Sequence, residues 1–215
     1  MKPVFAKSAD RLLRISLVVL VTGLASAVGL GSWLFHPRQR EVGYSPVQPV
    51  PYSHKLHAGD LGLDCRYCHI TVETAAMAAI PPTQTCMNCH ERVKSQSTAL
   101  APIRESYATG KPVPWVRVHR LPDFVYFNHS AHVSAGVSCV SCHGRVDQMI
   151  EVKAVEPLNM AWCLDCHRNP AARIRPRELV TNLGWKPDRD PVELGRELVA
   201  ANHIAPPTNC SGCHR

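Results

Sequence analysis

Ile15 to Phe35 is a run of 21 residues without a charged side chain. That length is enough to cross a bilayer as one helix. Lys2, Lys7, Arg11 and Arg14 precede the run against a single acid, Asp10, and Arg38 and Arg40 follow it. The excess of cations on the leading side predicts a cytoplasmic N-terminus. Ala25-Ser26-Ala27 resembles the small-residue cleavage site of a signal peptide. Apolar character nevertheless continues for eight residues past Ala27, which favours an anchor. Gly23, Ala27 and Gly31 fall four apart on one face; such a stripe admits a neighbouring helix closely but is also common in membrane spans.

Beyond Phe35 the patterns are short. Pro37, Pro46, Pro49 and Pro51 mark an extended linker, with His36 an interfacial residue at the helix end. Between Glu91 and Val125, four more prolines surround Trp115-Val116-Arg117-Val118-His119, which reads as a short strand or extended segment. Asp190-Pro191-Val192-Glu193 has a capping Asp, Pro at the first helical position and Glu at the third. Leu194, Leu198 and Val199 then give that helix an apolar face for packing. Pro81-Pro82-Thr83 recurs as Pro206-Pro207-Thr208, each just before a cysteine pair whose approach it fixes. The expected fold is mainly α with much irregular coil, on one N-terminal transmembrane helix.

One phrase is repeated in this coil. Tyr52-Ser53-His54-Lys55-Leu56-His57, then seven residues, precedes Cys65-Arg66-Tyr67-Cys68-His69; Phe127-Asn128-His129-Ser130-Ala131-His132, then six, precedes Cys139-Val140-Ser141-Cys142-His143. Each copy continues to a second Cys-x-x-Cys-His, at Cys86, Cys89 and His90 in the first and at Cys163, Cys166 and His167 in the second. A fifth, Cys210, Cys213 and His214, nearly closes the chain. The self-similarity predicts a duplicated unit. The expected organisation is a cytoplasmic segment 1–14, a transmembrane helix 15–35 and a linker 36–51. A first unit follows at 52–126, a second at 127–170, and an inserted helix with a single-motif tail at 171–215.

Ten cysteines make five motifs with none left over, each followed by histidine. Disulfide, zinc and redox readings of Cys-x-x-Cys do not account for five following histidines. Covalent c-type haem attachment does: two thiols hold the porphyrin edge and the histidine takes one face of the iron. The cofactors expected are therefore five haem c. Five in the 180 residues after the membrane segment, with only 6% aromatic side chains, imply that porphyrin supplies much of the core. Apo protein is expected to be unfolded. The formal net charge of +7 falls to roughly +2 oxidised or −3 reduced once propionates and iron are counted, so it does not point to nucleic acid.

The first-face ligands expected are His69, His90, His143, His167 and His214. His54, His57, His119, His129 and His132 match five vacancies if His36 and His203 are set aside. His129 and His132, one helical turn apart, cannot serve one iron whose other face is taken, so as ligands they grip two haems. The expected pairing is His54 with the haem of Cys65 and His129 with that of Cys139. His57 and His132 then reach to other haems, and His119 falls where the second haem lacks a partner. Met77, Met149 or Met160 as a ligand would raise one haem's potential, although such methionines more often pack.

From about Tyr52 onward the sequence resembles the membrane-anchored pentahaem cytochrome c subunit of bacterial alternative complex III, a quinol:electron-acceptor oxidoreductase. The resemblance rests on Tyr52 to Asp60, Ile80 to His90, Ser106 to Pro112 and Val125 to His132; more distantly, the dihaem units are similar to class III cytochromes. It implies quinol oxidation at partner membrane and iron-sulfur subunits. Electrons would pass along the haems to a monohaem cytochrome c, a soluble carrier or a terminal oxidase. It also implies a single-pass protein of the cytoplasmic membrane with its haems on the periplasmic side. With both iron faces filled, the chain conducts and is not itself an enzyme. The competing readings are a self-sufficient quinol dehydrogenase feeding a periplasmic reductase, and a multihaem reductase with an open iron, against which the ligand count speaks.

Overall fold

The computed structural model describes residues 7–35 and 42–214. Lys2, His36, Arg38 and Arg40 lie outside the described residues. The chain divides into two compact units, one up to Glu41 and one from Val42.

The first unit contains helix α1, Lys7–Leu34. Of this, Ser8–Leu34 is long and apolar enough to cross a membrane, about 40 Å at 1.5 Å per residue. Its side chains are exposed almost throughout, Leu20 at 67% and Phe35 just beyond it at 72%. Arg14 pairs with Asp10 one turn back at 2.8 Å. The Thr22 hydroxyl donates to the Val18 carbonyl at 2.8 Å, so the polar atom in mid-helix needs no outside partner. Membrane anchor and signal sequence both fit this element.

Among the described residues, the second unit is short helices and coil with no sheet; its only strand-like pairings are isolated bridges, Val125 with His214 and Val137 with Ile174. Its α-helices are α2 (Cys65–Cys68), α3 (Thr83–His90), α4 (Ala101–Thr109), α5 (His129–Ser134), α6 (Val140–His143), α7 (Met160–Arg168) and α8 (Pro191–Ala201). A π-helical stretch, Lys55–Asp60, follows His54. Helices this short are not stable alone, and their ends are held by side chains. Asn128, Asn159 and Asp190 accept backbone N–H groups at the starts of α5, α7 and α8.

Two small apolar clusters organise the unit. Val50, Met87, Ile103 and Val113 are buried together, with Cys86, Leu100 and Trp115 against them. Val72, Val133 and Val180 form the other. Residues 42–50 run extended and are fastened to the middle of the domain: Gly43 donates to Ala154, Ala154 to Tyr44, and the Ser45 hydroxyl to Val152. The Trp115–His119 segment is coil rather than strand. The Gln48 amide nevertheless binds both backbone groups of Val116, at 2.9 and 3.0 Å, as a neighbouring strand would.

Two glycines mark close approaches. A Cβ on Gly59 would stand 2.2 Å from the Asp147 carbonyl oxygen, where the π-helical stretch meets the turn at 146–148. One on Gly195 would stand 1.7 Å from the Ala171 carbonyl oxygen, so α8 packs on the 170–173 turn through a residue with no side chain.

Candidate haem-binding site

The repeated phrase folds the same way twice. Tyr52 meets His54 edge-on, centroids 4.8 Å apart at 88°, and lies along His57 at 4.4 Å and 23°. Phe127 meets His129 at 4.7 Å and 87° and His132 at 4.5 Å and 31°. In each copy one aromatic ring, inserted between two histidines, sends them in different directions. The backbone differs, a π-helical stretch in the first copy and α-helix in the second.

The imidazoles are oriented by main-chain carbonyls. His69 Nδ1 donates to Ala79 O (2.8 Å), His90 to Val93 O (2.9 Å), His167 to Pro207 O (2.6 Å) and His214 to Phe124 O (3.2 Å). In the repeated phrases, His57 donates to Ser53 O (2.8 Å), His129 to Ala76 O (2.8 Å) and His132 to Asn128 O (2.7 Å). A proton fixed on Nδ1 leaves the Nε2 lone pair free, which is how a ligating histidine is prepared for metal.

Three pairs of histidine rings stand at nearly one distance: His57 and His90 at 6.1 Å and 63°, His129 and His143 at 6.3 Å and 8°, His132 and His167 at 6.0 Å and 44°. An iron held from both sides requires about 2 Å to each nitrogen, as for other first-row metals, plus about 1 Å from nitrogen to ring centre, hence about 6 Å in all. His54 is close enough to His69 to interact electrostatically. Burial first, then His69 and His57, lower its pKa to about 4. His54 Nδ1 is buried without a hydrogen-bond partner.

His119, expected opposite His90, stands against His143. The rings are perpendicular with centroids 4.4 Å apart, and His119 Nε2 lies 3.4 Å from His143 Nδ1. Burial lowers the pKa of both, that of His143 to about 3 with His119 the next contribution. His214 packs on Phe124 at 5.7 Å. His203 is exposed, with φ of +51° after the end of α8. Met77 and Met160 are largely exposed, and Met149 borders Gly144.

The cysteines of different motifs also adjoin. Cys65 lies close enough to Cys139 to interact with it, as do Cys68 with Cys86, Cys142 with Cys166 and Cys163, and Cys163 with Cys213. The first of these junctions is built by Val180 and Thr181. The Val180 carbonyl accepts from the Ser138 hydroxyl (2.7 Å) and from Cys139 N (3.4 Å), while the Thr181 hydroxyl donates to Asp64 (2.9 Å). Asp64 caps α2 through Arg66 N and also holds the Arg66 guanidinium. That hydrogen bond is the main reason its carboxyl pKa falls from 3.8 to about 2. Asp64→Ala is expected to cost about 1 kcal/mol as a lost cap. Because the folded pKa is depressed, the stabilisation is fully present above pH 3.8 and is lost as pH falls through about 2. Melting curves of Asp64→Asn and the unaltered protein should converge over that interval.

The surroundings suit a flat apolar group. Leu61, Ile70, Ile80, Phe124 and Met160, all near motifs, are about 60% exposed, while the nine histidines of the motifs and phrases are half-buried, apart from the still more enclosed surroundings of His143. With the thiol pairs and metal-ready imidazoles, the residues fit covalently attached haem.

Comparison with known proteins decides the family. The profile of cytochrome c7 and related cytochrome c matches residues 50–103 and 125–215. The chain belongs to that family. This cytochrome is similar to the multihaem cytochrome c subunit of menaquinone reductase from Nitratidesulfovibrio vulgaris (strain Hildenborough), with 37% identity over 123 residues. The match covers 56% of each chain, so the cytochrome spans about half the length of that curated relative. It is a multihaem electron-transfer protein with one N-terminal helix capable of spanning a membrane.

Proposed function

We propose that this cytochrome carries five haems and acts as a membrane-anchored, non-catalytic electron relay in a quinol-oxidising assembly of the alternative complex III type. When bound, the haems supply one-electron transfer between neighbouring redox centres. The observation that carries the reading is the set of three imidazole pairs at 6.0–6.3 Å. An iron gripped on both faces by side chains has no place for substrate.

In this reading His57/His90, His129/His143, His132/His167 and His54/His69 serve four irons, and His214 serves the fifth from the motif side. His54 with His57, and His129 with His132, each tie two sites together. The cysteine neighbours supply the remaining joints, giving a spatial order of motifs at Cys86, Cys65, Cys139, Cys163 and Cys210. The chain thus folds its second motif to one end of the row and its fifth to the other. Partners would be membrane and iron-sulfur subunits on the quinol side and a monohaem cytochrome c or terminal oxidase on the other, with the haem domain on the periplasmic side.

A second reading reverses the direction, because the relative's name is that of a menaquinone reductase subunit. Both are separated from a self-sufficient quinol dehydrogenase by mixing the purified holo chain with a menaquinol. Slow or absent haem reduction by the chain alone, restored in the assembly recovered under mild detergent, is the expected result. Rapid reduction of the isolated chain would overturn the relay reading.

A further inference from the structure

Four of the five motif histidines place Nδ1 against a main-chain carbonyl. The fifth, His143, has a side chain there instead, with Nε2 of His119 3.4 Å from its Nδ1 and the rings at 90°. The 4.4 Å between these ring centres is too short for an iron between them, which requires about 6 Å. The nitrogen of His143 left for iron is Nε2, and the ring that stands at iron-spanning distance from His143 is His129, at 6.3 Å with planes 8° apart.

We infer that His119 is no axial ligand but a positioning residue, the hydrogen-bond acceptor that fixes His143 and tunes the haem held at Cys139 and Cys142. The inference rests on the pairing of His129 with His143. With Nε2 of His143 reserved, its proton sits on Nδ1; His143 donates and His119 Nε2 accepts. At 3.4 Å this hydrogen bond is longer than the four that the other motif histidines make to main chain, and an acceptor at Nδ1–H makes the ligating imidazole more electron-donating than no acceptor would. That favours ferric iron and lowers the potential of this haem relative to the same site without an acceptor at Nδ1. His119 is itself held by the segment that Gln48 clamps at Val116.

The test compares His119→Ala and His119→Gln holo protein with the unaltered chain, read by low-temperature electron paramagnetic resonance and by a redox titration followed in the haem absorption bands. Expected are haems whose spin states all stay as they are in the unaltered chain, with one midpoint potential moved upward in His119→Ala and moved less in His119→Gln, whose amide oxygen can still accept. A new high-spin signal in His119→Ala, or potentials that all stay unchanged, would overturn the inference. Should the alanine variant not accumulate with haem, the glutamine variant is read in the same two ways. His129→Ala checks the pairing beneath: a high-spin haem upholds it, and an unchanged low-spin spectrum removes both the pairing and this role for His119.

Discussion

With all ten cysteines changed to serine, the chain from Val42 onward is expected to lose its folded state, showing little helical circular dichroism, no cooperative melt and rapid proteolysis. The reason lies in what is buried. Among the described residues, the buried apolar ones are Val50, Val72, Met87, Ile103, Val113, Val133, Ala154, Ile174, Val180 and Leu183, and the largest fully buried side chains are Val180 and Ser138. Such small side chains, split between two clusters, do not make the core that a domain of this size needs. Helices α2 and α6 are single turns of four residues, far below the length at which helix formation sustains itself in water. Meanwhile Leu61, Ile70, Ile80 and Met160 stand about 60% exposed beside the motifs. Porphyrin faces are the apolar surface that these side chains lack. A cooperative thermal transition in the serine variant, with native-like helix content, would show that the polypeptide carries its own core.

The sequence made the chemistry legible because haem attachment is written in contiguous residues: two thiols and a histidine within five positions, repeated five times. The phrases around Tyr52 and Phe127 were readable for the same reason, and the structure shows their aromatic rings wedged between the two histidines in matching geometry. The helix at Pro191 was likewise signalled locally by Asp190, which accepts from Val192 N and Glu193 N. What the sequence did not display depends on contacts between distant residues. Nothing near Val180 announces that its carbonyl holds the Cys139 motif while the neighbouring Thr181 hydroxyl reaches Asp64 beside the Cys65 motif, and the apolar face Leu194, Leu198 and Val199 gives no hint that Gly195 makes so close an approach. His119 was placed by counting vacancies along the chain; in space it comes to His143, 24 positions away. The switch from α to π geometry between the two phrases has no residue signature that we can name.

His132→Ala should convert one haem, about one fifth of the total, from low-spin to high-spin or water-ligated while leaving the others untouched. His132 is held by two contacts of its own, the 2.7 Å hydrogen bond to Asn128 O and the tilted packing on Phe127. Its ring stands 6.0 Å from that of His167, and His129 in the same helix stands opposite a different motif histidine, His143. In the proposed pairing, removal of the imidazole would therefore take one ligand from the haem held at Cys163 and Cys166 and leave the haem at Cys139 its own. The changed haem lies inside the row of motifs, so passage of electrons from one end to the other should slow along with the spectral change. His203→Ala supplies the contrast: that residue is exposed, lies outside both phrases and sits at positive φ beyond α8, and its loss should leave the spin state of every haem unchanged. An unaltered spectrum in His132→Ala, or a newly high-spin haem in His203→Ala, would show that iron is gripped by a different set of side chains from the one the ring geometry pairs.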